Sequence, residues 1–262
     1  MKSLSIAATG MLAQQRNVEV ISNNIANLNT VGFKRQRAEF QDLLYQTIER
    51  AGAVSSSTGT VVPNGVQIGA GVKTGSVYRI TEQGSVTSTG NDFDLAISGR
   101  GLFRISLPDG NDAYSRAGNF AVSSDGRIVT EDGYEVLPGI TVPDDAVDVS
   151  ISDDGVVEAR IAGEEDLQEL GQLELATFFN ESGLEAIGDN LLLETTASGE
   201  PVIGNPGDPG FGTVLQGFIE TSNVDPVQEI TSLIAAQRAY EMNARVIETS
   251  DEILATNANL RR

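Results

Sequence analysis

Cysteine, histidine and tryptophan are all absent from the 262 residues. Without the first two, no Ser-His-Asp or Cys-His nucleophile can be built. Nor can a zinc site of the usual Cys/His kind, or an imidazole acid/base near neutral pH. The lack of cysteine also fits an extracytoplasmic life without disulfides. Aromatics make up only 5% of the chain, and 28 glycines stand against 8 prolines, which points to turns and short strands rather than a helix bundle. No apolar run reaches about eighteen residues, so no membrane insertion is expected. The opening MKSLSIAATGMLA imitates a signal peptide, but Ser3, Ser5, Thr9 and Gly10 interrupt it, and the pattern runs on as an amphipathic helix. Export without a cleaved signal is therefore expected.

Positive charge is also scarce, with 17 basic against 37 acidic residues and a net charge of −20. Residues 1–50 carry +2, residues 51–225 carry −21 and residues 226–262 carry −1. An acidic body argues against nucleic-acid binding, because phosphate contacts need Lys and Arg. Near-neutral ends suit packing among copies of the same chain. Asp92 with Asp94, or Asp153 with Asp154 and Glu158, could form a carboxylate pair of the glycosidase kind, but acidic clusters beside turns read as solvated loops. Gly69–Thr74 fails as a phosphate loop, since Val72 stands where glycine must precede the lysine. Asp125-Gly126 and Asp154-Gly155 lack calcium-loop spacing. No enzyme activity, cofactor or metal is expected.

Two long heptad patterns are present. Leu4, Ala7, Met11, Gln14, Val18, Ile21, Ile25 and Leu28 alternate spacings of three and four, which predicts a seamed helix over residues 3–28. Ile230, Leu233, Gln237, Tyr240, Ala244, Ile247, Asp251, Leu254 and Ala258 do the same at the other end. Asp225-Pro226 reads as an N-cap followed by proline at the first helical position. Each helix needs a partner to cover its stripe. They are expected to pair with each other as a coiled coil; the alternative is that both pack onto the middle of the chain.

That middle is expected to be β-rich and antiparallel, a sandwich or open barrel. Asp109-Gly110, Asp125-Gly126, Asp132-Gly133 and Asp154-Gly155 mark turns. A hairpin is predicted around Asp125-Gly126, with strands at 147–152, 156–161, 173–179 and 191–195. Residues 45–72 are rich in Gly, Ser, Thr and Val, and read as a linker or an extended arm whose Val61, Val62, Val66 and Ile68 pair only when neighbours are present. The fold class is thus α+β with segments 1–32, 33–72, 73–225 and 226–262.

Between helix and arm lies ANLNTVGFKR, residues 26–35. Asn27 and Asn29 are weak helix formers. Gly32 can take the left-handed conformation that closes a helix or turn. Phe33 offers an apolar anchor, and Lys34, Arg35 and Arg37 fall beyond a helix carboxyl end, where cations are favoured.

The run from Ser22 to Arg35, with Ala26, Asn27, Thr30, Gly32, Phe33 and Lys34 at its centre, resembles the signature of the bacterial flagellar rod and hook family. Glu220–Asp225 with Ala236–Glu241 resembles its C-terminal counterpart. Ile97–Phe103, Tyr114–Phe120 and Gly183–Asn190 are similar to its internal elements. Phe40–Ile48 leading into the Ser/Thr/Gly arm is most similar to distal-rod members, with proximal-rod and hook members as the alternative. The resemblance implies a subunit of a helical tube, the drive shaft crossing the periplasm. It implies inner terminal helices, an outer β domain and residues 33–72 wedged between neighbours. Implied partners are further copies of the chain, proximal rod proteins, hook or junction proteins, the P- and L-ring bushing and the flagellar export apparatus. The helical ends are expected to be largely disordered in a free monomer and to fold on assembly.

Overall fold

A computed structural model describes residues 2–50, 52, 64–163 and 166–259. Val61 and Val62, expected in the arm, lie outside the described residues. The chain divides into two compact units. One comprises Met1–Ala26, Gln36–Tyr78 and Asp225–Arg262, as far as these are described; the other comprises Asn27–Arg35 and Arg79–Val224. Boundaries therefore fall differently from the sequence expectation. Residues 27–32 fall in the β-rich unit, and the described residues of 36–78 fall with the helices.

In the first unit, helix α1 spans Lys2–Ala26 and helix α2 spans Pro226–Asn259. The α2 start follows from its cap: the Asp225 carboxylate accepts the Val227 and Gln228 N–H groups at 2.9 and 3.2 Å, satisfying donors that have no intrahelical partner. The helices run antiparallel. Asn24 meets Glu229, Gly10 faces Asn243, and Ser3 meets Ser250. Going back 14 and then 7 residues along α1 advances 14 and then 7 along α2, so the register does not slip. Beside them runs a two-stranded antiparallel ribbon, in which Gln36–Asp42 pairs with Val72–Arg79 and Tyr45–Glu49 pairs with Val66–Gly69. The Leu43 N–H to Gly71 C=O bond and the Ala70 N–H to Leu44 C=O bond make these one continuous strip. Val66 sits opposite Glu49 and Ile68 opposite Gln46. These two β-branched residues thus pair within their own chain, a correction to the expectation that they wait for neighbours.

The β-rich unit holds a nine-stranded antiparallel sheet. Its main path runs Glu185–Gly188, Leu191–Leu193, Asp112–Ser115, Leu102–Ser106, Glu135–Val136, Ile128–Val129 and Ala121–Val122. Leu175–Thr177 also pairs with Leu102–Ser106 and carries Val202–Gly204 on its other side. A second sheet orders Ala146–Ile151, Val156–Ile161 and Leu167–Gln172. All four Asp-Gly pairs join antiparallel neighbours, and each glycine has positive φ, between 78° and 84°. Both sheets feed one core: Phe103, Val136 and Leu175 from the larger meet Val149, Ile151, Val157 and Ala159 from the smaller. Strands end earlier than patterning suggests, at Thr177 and Leu193. Ala176 and Phe178 join a separate cluster around Tyr114, and the Phe178 and Tyr114 rings meet edge to face at 4.7 Å.

Candidate assembly elements

The stretch after α1 is shaped by its own polar groups. Thr30 donates from both its N–H and its hydroxyl to Asn27, closing a turn immediately after the helix. Gly32 follows at φ +69°, its N–H donating to the Glu220 C=O at 2.8 Å. A Cβ there would lie 2.5 Å from the Ala117 nitrogen, so only glycine lets the backbone approach this closely. Asn190 donates to the Val31 C=O at 3.1 Å, and the Arg35 N–H donates to the Asn223 side chain at 2.7 Å.

At the centre of this docking stands Glu220, 0% exposed. One carboxylate oxygen accepts the Lys34 ammonium at 2.5 Å and the Gly84 N–H at 2.8 Å; the other accepts Arg116 Nε at 2.5 Å. Arg116 spends its remaining donors on the carbonyls of Ile97, Gly99 and Gly101. Lys34 also donates to the Glu82 C=O at 2.8 Å. Burial by itself would raise the Glu220 carboxyl. The Arg116 charge and the bonds from Lys34, Arg116 and Gly84 outweigh it and hold the group below the ordinary carboxylate value. Burial also lowers Lys34, with Glu220 opposing. Three motifs far apart in sequence thus converge on one buried carboxylate.

In the helical unit, Asn24 is buried and its carboxamide both accepts the Gln36 N–H and donates to the Gln36 C=O, each at 2.8 Å. It also donates to Glu229 at 3.2 Å. Around the helix pair, the α2 residues nearest α1 are small or polar: Glu229 and Ala236 are buried, and Ser232, Ala239, Asn243 and Ser250 are half-buried. Val227 and Ile234 lie two residues before Glu229 and Ala236, a step of about 200° around a helix, and so face the other way. They are exposed, as are Ile230, Met242, Val246 and Ile253. Helix α2 therefore meets α1 through small and polar residues alongside half-buried Leu233 and Ile247, and leaves Val227, Ile230, Ile234 and Met242 uncovered.

In sequence, the chain matches known proteins along its whole length. Residues 4–34 match the family described as flagella basal body rod protein, 96–159 the flagellar hook protein FlgE/F/G D1 domain, and 215–260 the flagellar basal body rod FlgEFG protein C-terminal family. The flagellar basal-body rod protein FlgG of Caulobacter vibrioides is 63% identical over 261 residues, covering 100% of both chains. This chain belongs to the FlgG family of distal rod proteins. FlgG of Agrobacterium fabrum is 54% identical over 97% of each chain, whereas the rod protein FlgF of Caulobacter vibrioides is only 32% identical over 96% of this chain and 94% of its own. The FlgG family is a structural family of the flagellar basal body, serving motility, and not an enzyme family. No helix among the described residues is long and apolar enough to cross a membrane.

Residues that the sequence singled out fall in distinct places in this FlgG-family chain. Ile21 is buried, and Leu4, Met11, Val18 and Ile25 are half-buried along α1, as are Leu233, Ile247 and Leu254 on α2. Ile230 and Tyr240 are 50% and 42% exposed, off the line that faces α1. That line sits one residue over, through Glu229, Ala236, Asn243 and Ser250, because close approach selects small side chains over bulky ones. Leu28 lies beyond the end of α1 and belongs to the β-rich unit. Ala26 is the last residue of α1 and is exposed, while Asn27, Thr30 and Phe33 are half-buried. Of the two roles expected for Gly32, it takes the turn: α1 ends six residues earlier, and Gly32 sits in the turn in which the Phe33 N–H donates to the Thr30 C=O at 3.3 Å. Lys34 serves a buried carboxylate, not a helix terminus. Asn24, Arg116 and Glu220 entered the sequence reading only as members of motifs, and the pairing roles of these residues and of Gly10 and Glu229 were not foreseen. A polar residue at a helix face otherwise read as apolar was the available signal for Asn24.

Proposed function

We propose that this chain is a subunit of the flagellar distal rod which self-assembles into a rigid helical tube and carries torque from motor to hook. The observation that carries the reading is the exposed apolar side of α2. One chain covers only the α1-facing side, and exposed Val227, Ile230, Ile234 and Met242 are left for other copies to bury. A head-to-tail contact whose rotation does not close generates an open helix, so one repeated interface suffices for a shaft. In this reading Leu4, Met11, Val18, Ile21 and Ile25 of α1 and Leu233, Ile247 and Leu254 of α2 form a coiled-coil pair within each subunit, while Ile230 and Tyr240 meet neighbours. The motif from Ala26 to Lys34 anchors the connection, and the ribbon is the connecting arm.

The remaining contacts follow from the place of a distal rod. They comprise proximal rod proteins, the hook or its junction proteins, the P- and L-ring bushing in the periplasm, and the export apparatus, which passes the chain without a cleaved signal. The helices would fold fully only once sister copies bury them, which suits passage as unfolded chain. Electron microscopy of concentrated purified protein, with circular dichroism on monomer and polymer, tests this. Open filaments with more helix than the monomer are expected. Closed trimers would overturn the rod reading, and equal helix in both states would overturn coupled folding.

A further inference from the structure

We infer that the strand edge Val202–Gly204 is a docking site for the ribbon of a second copy, which adds to it as a further strand. This rests on the proposed self-assembly. Among the described residues, Val202–Gly204 pairs only with Leu175–Thr177, leaving its outer side open. Thr177 is opposite Val202, and Phe179 follows just past the end of that strand. Phe179 is 101% exposed and Val202 59%, and Ile203 is exposed on the opposite face.

The other outer strands of the two larger sheets are protected in ways that natural edges commonly are. Ala121–Val122 is only two residues long. Glu185–Gly188 has a register shift and ends in Gly188, Asp189 and Asn190, all at positive φ. Ala146–Ile151 carries Asp148 and Leu167–Gln172 carries Glu169, each with a register shift in its pairing. Val202–Gly204 is uncharged and pairs without a shift. Pro201 before it limits its length but leaves the strand itself open.

The occupant is argued from charge and from incompleteness. Tyr45–Glu49 with Val66–Gly69 is a two-stranded sheet with Leu44, Tyr45, Ile48, Val66 and Ile68 exposed. Such ribbons gain stability from a third strand. Its one charged residue is Glu49, so the edge carrying Glu169 repels it and the uncharged edge does not, while Asp148 is already paired with Arg160 at 3.8 Å. Ribbon onto edge is a head-to-tail contact, the kind that extends without closing.

The chain has no cysteine of its own, so introduced thiols report unambiguously. Ile48→Cys and Val202→Cys chains, purified separately, are co-assembled with an excess of wild type and treated with a short bis-maleimide. Ile48→Cys with Val147→Cys is the control, because Val147 is exposed on the acidic sheet. Cross-linked dimers about tenfold above the control, in filaments only, are expected from the raised local concentration. Filaments in which the Val202 pair gives no more product than the control would overturn this inference and leave the rod reading intact. If wild type alone forms no filaments, the rod reading fails and this inference with it.

Discussion

The side chain of Asn24 is bonded to the backbone of Gln36 as one strand is to another, taking its N–H and giving to its C=O at 2.8 Å each. The neighbouring Arg35 N–H is held by Asn223 at 2.7 Å in the β-rich unit. The chain passes from one unit to the other between these two residues, and each side of the crossing is held by a carboxamide. Removing the carboxamide by Asn24→Ala strands two buried backbone groups and is expected to cost about 3 kcal/mol in urea unfolding. Asn24→Asp keeps the acceptor but sets a second carboxylate against Glu229, so its penalty should be larger at neutral pH than in acid.

Glu220 makes stability depend on acid. Its folded pKa is held below the ordinary value, because the Arg116 charge and the Lys34 and Gly84 bonds outweigh burial. Its contribution is therefore present above the unfolded carboxylate range and is lost as pH falls through the folded value. Glu220→Gln leaves Arg116 and Lys34 without their buried anion and is expected to cost about 3–5 kcal/mol near neutrality. Denaturation measured from about pH 7 down to about pH 3 should show a flatter pH dependence for the variant than for wild type. Parallel curves would count against the assigned role.

Two glycines separate backbone conformation from space. Gly32 and Gly90 have φ of +69° and +74°, but a Cβ on Gly90 meets nothing within 4 Å, whereas one on Gly32 meets the Ala117 backbone. Gly90→Ala should cost only the left-handed conformation, roughly 1–2 kcal/mol. Gly32→Ala should cost more and should speed hydrogen exchange across residues 30–35 while strand Leu102–Ser106 stays protected. Equal effects of the two substitutions would refute the close-approach argument.

Gly10 sets the helix spacing. A Cβ there would lie 2.9 Å from Asn243 Nδ2, the free end of a movable side chain. Gly10→Ala should be nearly neutral, because the helix propensity gained, up to about 1 kcal/mol, offsets a small shift of Asn243. Gly10→Leu should force the helices apart and reduce filament yield, read by light scattering.

What sequence alone decided was local. Turn chemistry at the Asp-Gly pairs, the Asp225 cap before Pro226 and the heptad periodicity are set within a few residues, so the two helices and several hairpins were legible. The absence of histidine and cysteine likewise excluded whole classes of chemistry. What it could not decide was phase and partnership. On α2 the apolar periodicity runs through Ile230 and Tyr240, which are exposed; only packing showed that the small and polar residues through Ala236 and Asn243 face α1. Glu220 was visible as the first residue of a motif but not as a buried carboxylate, because Lys34 and Arg116 lie 186 and 104 residues away in the chain. A buried charge is tolerated only where opposite charges and donors surround it, and that gathering exists only in the folded structure.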